Sequence, residues 1–518
     1  MSFLTGCAVG PDYVKPSAPE SPGWIERGDP RIKSEPTDLS AWWTVFQDPV
    51  LDALIGLAYA QNLDLRIAGI RILEARARLG IAVGSRYPQL QQARGSAARQ
   101  ESSENAANTL NPDLSYWDYQ VGFDAAWELD FWGKFRRAVE SGVADFEASI
   151  ASYDDALVSL TAEVARVYVQ LRTLQERLAF ARENVKIQER GFQIANARFQ
   201  GGVVTELDVQ QAKSLLKDTQ ARIPRLEVGI RQSKNALAVL LGRLPYEMDA
   251  VLGQEMKPIP AAPEQVAVGI PAELLRRRPD IRFAERALAA QSPLIGVAKA
   301  DLYPHFELFG SIGLRSSSAR FTKAGGVSGS NFRDLFDTDS IELFAGPSFR
   351  WDFLNYGRIK NQVRVEDARL QQLMVNYENT ILRAAQEVED GLVAFLRTQE
   401  EVNYLAESVQ AYARSVDLSL IQYREGLTDF QRVLDSQRFL TQEQDLLADT
   451  KGLEAQSLIA VYKALGGGWR MREGNDFVPV ETREEMEKRT DWGKLLTPAA
   501  LALPPTEEDR SKWRSPDW

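Results

Sequence analysis

The feature that most constrains this chain is that it repeats itself. Residues 127–137 read WELDFWGKFRR and residues 351–361 read WDFLNYGRIKN, an offset of 224. The same offset carries FQGGVVT (199–205) onto YREGLTD (423–429), and Leu241-Gly242 onto Leu465-Gly466. Upstream, LGIA (79–82) matches IGVA (295–298) and Tyr87-Pro88 matches Tyr303-Pro304, at an offset of 216. The second copy therefore holds eight extra residues between its Tyr-Pro and its Trp. An insertion confined to one segment reads as a loop. A tandem duplication calls for one structural unit built twice.

Each copy has the same internal order. A helical stretch, near 50–86 or 272–302, ends at a Tyr-Pro break because Pro cannot continue a helix. A β-like segment follows, about 89–127 in the first copy and 305–353 in the second. Trp117, Tyr119, Val121, Phe123, Ala125 and Trp127 alternate with Asp118, Gln120, Gly122, Asp124 and Ala126. In the second copy Phe306, Leu308, Gly310, Ile312 and Leu314 alternate, as do Ile341, Leu343, Ala345 and Phe349. Period two predicts strands with one apolar and one polar face, four per chain. The opening strand, about 89–101, is weakly marked, and Pro347 argues against a central strand at its position.

The strongest signal is helical. Apolar or aromatic residues fall at 146, 150, 153, 157, 160, 164, 167, 171, 174, 178, 181 and 185, in steps of four and three. Adding 224 finds the frame again, from Leu370 to Tyr423. A sustained 3.5 repeat predicts coiled-coil packing. Long helices are expected over 133–200 and 357–425, each roughly 100 Å at ~1.5 Å per residue. Return helices are expected over 203–242 and 427–466.

Composition removes many functions. Lys+Arg number 61 against 72 Asp+Glu, a net charge of -11, so no basic surface offers itself to nucleic acid. One Cys and one His exclude disulfide frameworks and Cys/His zinc sites. His305, alone at a strand start, reads as structural. Neither common nucleotide-binding glycine motif occurs, so the chain reads as a non-enzyme with no cofactor and no metal site. No window of eighteen apolar residues spans a membrane, while a transmembrane β-barrel stays open. Cys7 follows the small residues Thr5 and Gly6, as in a lipoprotein signal. Only six residues precede it, too few for a signal core, so its position alone leaves an incidental cysteine equally open.

Four strands cannot close a membrane barrel, but three copies supply twelve. At this point the sequence resembles a family, the TolC-like outer membrane factors, in the lipoprotein branch typified by OprM and NodT-like proteins. GCAVGPDYVKP resembles that branch's lipidation site, WWTVFQDPVLDALIGLAYAQNLDLRIA its first helix, RRRPDIRFAERALAA with IGVAKADLYP the opening of its second repeat, and ALGGGW its close. The likeness spans roughly residues 4–469 and implies a mainly α fold with a transmembrane β-barrel. It implies a homotrimer whose twelve-stranded barrel continues as a periplasmic α-helical barrel. On this reading residues 1–49 are a lipidated equatorial wrap, 50–270 and 271–469 the two repeats, and 470–518 a tail over the belt or disordered. The implied function is the outer-membrane exit duct of a tripartite efflux system, working with a periplasmic adaptor and an inner-membrane RND-type pump. A type I secretion duct for polypeptides is the alternative, and a soluble coiled-coil scaffold is the alternative from another class.

The resemblance also assigns residues. Cys7 becomes a lipidation site. The tips Gly202, Val203, Val204, Thr205, Gly426, Leu427 and Thr428 become adaptor contacts, with Val203, Val204 and Leu427 expected to be exposed. Gly at a helix end has its own structural use as the left-handed residue. The segment from Thr428 to Asp435, with Gln431 and Arg432, resembles the family's gate. Asp435 matches a pore-facing aspartate, although by itself it reads as a solvated helix residue. Arg432 stands where TolC has a second aspartate and is expected outward or paired with a neighbouring Asp435. Tyr423 and Asp208 match a closed-state clasp between helix pairs; its companion Arg–Thr pair is absent, with Leu207 and Thr428 in those places.

Overall fold

A computed structural model describes residues 8–17, 23–33, 35, 38–105, 113–253, 256–269, 277–323, 326–497 and 501. Cys7 and most of the chain beyond 497 lie outside the described residues.

Helices α1 (Pro49–Gln61) and α2 (Leu63–Gly84) start on side-chain caps. Asp48 accepts from the Val50 N–H at 2.8 Å, and Asn62 from the Leu65 N–H at 2.8 Å. Strands β1 (Leu90–Glu101) and β2 (Ser115–Glu128) follow, then α3 (Lys134–Gln200) and its return α4 (Glu206–Leu240). The second copy runs α5 (Pro279–Ala300), β3 (His305–Ser317), β4 (Ile341–Arg350), α6 (Arg358–Arg424) and α7 (Phe430–Ala464). The two outgoing helices are 67 residues each and the two return helices 35 each. The molecule is thus mainly helical, built in two matching halves, with its strands gathered at one end of the long helices.

These four strands form one antiparallel meander, β1-β2-β3-β4, in which the β2–β3 pair joins the two copies; two short pairs, Ile32–Lys33 with Val266–Ala267 and Phe321–Lys323 with Gly326–Ser328, lie outside it. β1 is rich in Gln, Ala and Arg, which hides it from hydrophobic patterning, yet it pairs with β2 at twelve positions. Pro347 stands opposite Leu308 in β4, an outer strand of the sheet within one chain.

The 3.5 repeat of α3 becomes the core. Phe146, Ile150, Tyr153, Leu157, Val164, Val167 and Leu171 are buried in one cluster with Trp42, Leu51, Ile55 and Ile72. Phe395, Leu458 and Val461 of the second copy join it. Each large side chain so buried is worth about 1.5–3 kcal/mol. Past Ala181 the buried stripe of α3 turns polar. Asn184 donates to Gln444 at 2.7 Å, Gln188 donates to the Thr441 hydroxyl at 3.3 Å, and the Gln437 amide lies against Gly191. The stripe of α6 is buried from Tyr377 to Thr398 and again from Val416 to Tyr423, and is partly exposed between.

Both chain ends wrap the middle. The Val9 N–H donates to the Trp132 carbonyl at 3.0 Å, and Asp12 and Lys15 pair with Arg137 (2.6 Å) and Glu285 (2.5 Å). At the other end, Val478 and Met486 of the tail are buried, the latter on α8 (Val480–Arg489). Arg472 and Arg282 both pair with the fully buried carboxylate of Asp154, Arg282 at 2.8 Å. Losing that carboxylate would strand two guanidinium groups, so the cluster ties tail, α3 and α5 together.

Its neighbour Asp155 stands differently. Burial pushes its carboxyl up to about 6, with Asp280 adding to the rise and Arg278 opposing it. The folded value lies above the unfolded one, so this group's cost grows as pH rises from about 4 to about 6. Its repeat mate is Asn379. Asp155→Asn should raise stability at pH 7 by about 1–3 kcal/mol and flatten thermal unfolding across that pH window. An unchanged pH profile, followed by helical circular dichroism, would contradict the assignment.

Candidate functional site

Two regions carry side chains that the fold alone does not consume: the faces of the sheet and the far end of the helices.

Alternation gives the sheet two unlike faces. The register sets Phe123 beside Ile312 and Ile312 beside Leu343, a row across three strands. All three are exposed. Val121, Trp117, Trp127, Leu308, Ile341 and Phe349 lie on the same face and are exposed too. The opposite face holds ion pairs: Arg94 with Asp124 at 3.3 Å and Arg315 with Asp118 at 3.1 Å. Aromatic residues mark both ends of the apolar face. Trp117 stacks on Tyr119 at one end, and Phe306, Phe349, Trp351 and Phe353 gather at the other. Ten residues separate Trp117 from Trp127, roughly 33 Å of strand. Tilted as strands are in a barrel, this matches an apolar band about 25 Å tall. The outer edges of β1 and β4 have no strand partner among the described residues.

At the far end each helix pair closes through a glycine turn. Gly202 and Gly426 hold φ of 73° and 79°, a conformation that strains any residue with a Cβ. The Val203 N–H donates back to the Arg198 carbonyl at 2.9 Å, and the Leu427 N–H to the Gln422 carbonyl at 2.8 Å, closing both helix ends. Val203, Leu207 and Leu427 project outward, 64%, 63% and 78% exposed. Thr205 is exposed at the start of α4, and Thr428 is partly buried. Val204 departs from the expectation of exposure. It turns inward and packs on a small cluster of Ala195, Ala212, Tyr423, Phe430, Val433 and Leu434, because the turn directs successive side chains to opposite sides.

That cluster centres on Tyr423, 1% exposed. Its hydroxyl donates to Asp208 at 3.3 Å, linking α6 to α4. The Arg198 guanidinium lies 4.6 Å over the ring and donates to the Tyr423 carbonyl. Burial, then the Asp208 charge, push the phenol up to about 12, so it remains a donor. Arg198 was not foreseen: its repeat mate is Gln422, so the duplication gave no signal for it. Leu207 was missed as a surface residue for want of any pattern at the turn.

The gate candidates lie one to three turns further on. The Gln431 amide donates to Asp435 at 3.0 Å on the same helix face. Asp429 caps the helix by accepting from the Arg432 N–H at 3.2 Å. The Arg432 side chain is exposed and makes no ion pair with Asp435 within the chain, among the described residues. Asp435 therefore has Gln431 as its side-chain partner within the chain.

Tyr423→Phe should keep the ring contacts and lose only the Asp208 bond, worth about 0.5–1.5 kcal/mol. Amide exchange across 419–428 should quicken by about two- to tenfold. Exchange that does not change would mean the bond holds nothing.

Comparison with known proteins fits this geometry. The family model for outer membrane efflux proteins matches residues 54–243 and 270–467, one segment in each copy. Nodulation protein T of Rhizobium leguminosarum bv. trifolii is 31% identical over 90% of this chain and 96% of its own length. The toluene efflux pump outer membrane protein TtgC of Pseudomonas putida is 30% identical over 93% and 97%. The solved outer-membrane channel OprN superposes with a TM-score of 0.82 at 32% identity, covering 90% of this chain and all of that one. With two matched halves, long helices and a sheet with one exposed apolar face, the chain belongs to the outer membrane efflux protein family, whose members are transport channels and not enzymes.

Proposed function

We propose that three copies of this chain form a passive exit duct, exporting small molecules across the periplasm and outer membrane. The observation that carries the reading is the sheet. Its apolar face is exposed, its other face is charged, and its two outer edges await partners. Open edges are not tolerated in lipid, and three four-stranded sheets supply an even twelve for closure. The long helices then continue the wall as a tube through the periplasm. A soluble scaffold would have no use for such a face.

A periplasmic adaptor meets the tips, where Val203, Leu207 and Leu427 have no core to enter, and an inner-membrane RND-type pump supplies the energy. Relatives named for toluene and for pyoverdine export favour small molecules over polypeptides as cargo. Cys7 carries the lipid anchor. Ala8, the residue after it, packs on Gly133 where the sheet passes into α3, at the level where an acyl chain enters the same bilayer. Residues 1–49 and the tail from 470 make the equatorial belt around the two repeats.

The constriction lies at Asp435, nine residues beyond Gly426 and so about 13 Å along the tube from its tip. Around a threefold axis three Asp435 carboxylates converge, with Gln431 beside each and Arg432 turned away. Such a ring attracts cations and resists its own charge. In planar bilayers Asp435→Ala should raise single-channel conductance and weaken block by divalent and trivalent cations, while Arg432→Ala leaves both similar. If Asp435→Ala changes neither, the constriction lies elsewhere. Radiolabelled palmitate should mark the wild type and not Cys7→Ala, which should still fractionate with the outer membrane.

A further inference from the structure

At the end of the sheet remote from the helices, the β3–β4 connection is the longer of two, 318–340 against 102–114 between β1 and β2. Its second half does not stand away from the strands. The Ser330 N–H donates to the Ser317 carbonyl at 3.1 Å, and the Ser316 hydroxyl donates to the Asn331 carbonyl at 2.8 Å. These bonds bring a short 3-10 helix, Phe332–Phe336, back against the sheet. Asn331 opens it by accepting from the Arg333 N–H at 3.0 Å, while its own N–H donates to the Asp334 carboxylate at 2.8 Å. The Ser340 hydroxyl donates to the Asp334 carbonyl at 2.6 Å and ties the other side. Bonded at both ends, the turn has a set orientation.

The register shows which face it covers. Ser316 stands opposite Tyr119, in the alternate set that holds Val121, Phe123, Ile312 and Leu314. The Phe332 ring meets Tyr119 edge-on, centroids 5.3 Å apart. The turn therefore lies on the apolar face. Its Leu335 is buried, but Phe332 and Phe336 are 55% and 67% exposed, with their rings edge-on to each other at 6.2 Å. Burying such a side chain gains about 1.5–3 kcal/mol, and the chain forgoes most of this twice within five residues.

Position says what covers the two rings. They sit over β2 and β3, the middle strands, so a neighbour at either sheet edge does not account for them. They continue the apolar face. Tyr119 is eight residues from Trp127, roughly 26 Å of strand, which in a tilted barrel lies just inside the outer limit of an apolar band about 25 Å tall. Aromatic rings favour that boundary between headgroups and hydrocarbon. Charge does not explain the patch, since Asp337 and Asp339 are exposed beside Arg333 and an acidic surface repels anionic headgroups.

We propose that this turn is a lipid contact, with Phe332 and Phe336 seated among the acyl chains just beneath the headgroups of the outer leaflet. The inference rests on the reading that the apolar face meets lipid. It adds a contact made by a connection and not by a strand.

The test uses the full-length chain. Cys7 is its one cysteine, so in a Cys7→Ala background a single new thiol can carry a polarity-sensitive fluorophore. The assembled protein is placed in phosphatidylcholine vesicles whose acyl chains carry bromine either just below the headgroups or at the bilayer centre. A label at Phe336→Cys, and separately at Phe332→Cys, should be quenched about twofold more by the shallow bromines than by the deep ones, as at the depth of interfacial rings. A label at Phe123→Cys, midway along the same face, should favour the deep bromines, and one at Asp339→Cys should escape both. Added salt should leave the quenching unchanged, because the contact is apolar. Quenching at Phe123 with none at Phe332 or Phe336 would overturn the turn's contact and leave the sheet in lipid. Labels at Phe332 and Phe336 shielded from water but quenched by neither lipid would place a protein partner over the rings and overturn it too. No quenching at Phe123 would overturn the lipid-facing sheet and the contact with it.

Discussion

The proposed assembly depends on backbone hydrogen bonds that the four-stranded sheet leaves unmade at its two outer strands among the described residues. Four strands in a meander leave two rows of N–H and C=O groups at β1 and β4. In water such edges are a liability; in hydrocarbon they are forbidden. On the proposed reading the exposed apolar face meets hydrocarbon, and the edges then call for neighbouring chains. The helical half is arranged to suit. Its core is deepest around α3, between the two copies, and shallower along α6, at the open flank.

The legible parts of the fold were those written as periodicity. The 3.5 repeat from Phe146 to Val185 placed the coiled coil, and alternation from Trp117 to Trp127 placed the central strand. The parts that escaped are polar residues doing core work. Asn184, Gln188 and Gln437 sit in the buried seam between α3 and α7, where a hydrophobic pattern has nothing to read. β1 was expected near 89–101 but only weakly marked, for the same reason. The site was legible by likeness more than by physics. Tyr423 and Asp208 do meet, and Gln431 and Asp435 share a helix face. Arg198 and the inward turn of Val204 depend on how two helix pairs lean together, which no single segment encodes.

The two copies share a fold but have diverged in chemistry. Asp155 answers to Asn379, Arg198 to Gln422, and Gly202-Val203 to Gly426-Leu427. These differences include the tip and a few polar positions, while most positions of the 3.5 stripe stay apolar in both copies.

The matched helix lengths have a consequence for how such a chain changes over time. Outgoing helices of 67 residues and return helices of 35 bring both turns to one level. A heptad inserted into one helix would leave its turn protruding or slip its frame by a whole hole. To lengthen the tube and keep its rim flat, the same insertion must enter four helices of one gene. The strand segments carry no such constraint, and the chain's own eight-residue insertion lies there, between Tyr303-Pro304 and Trp351.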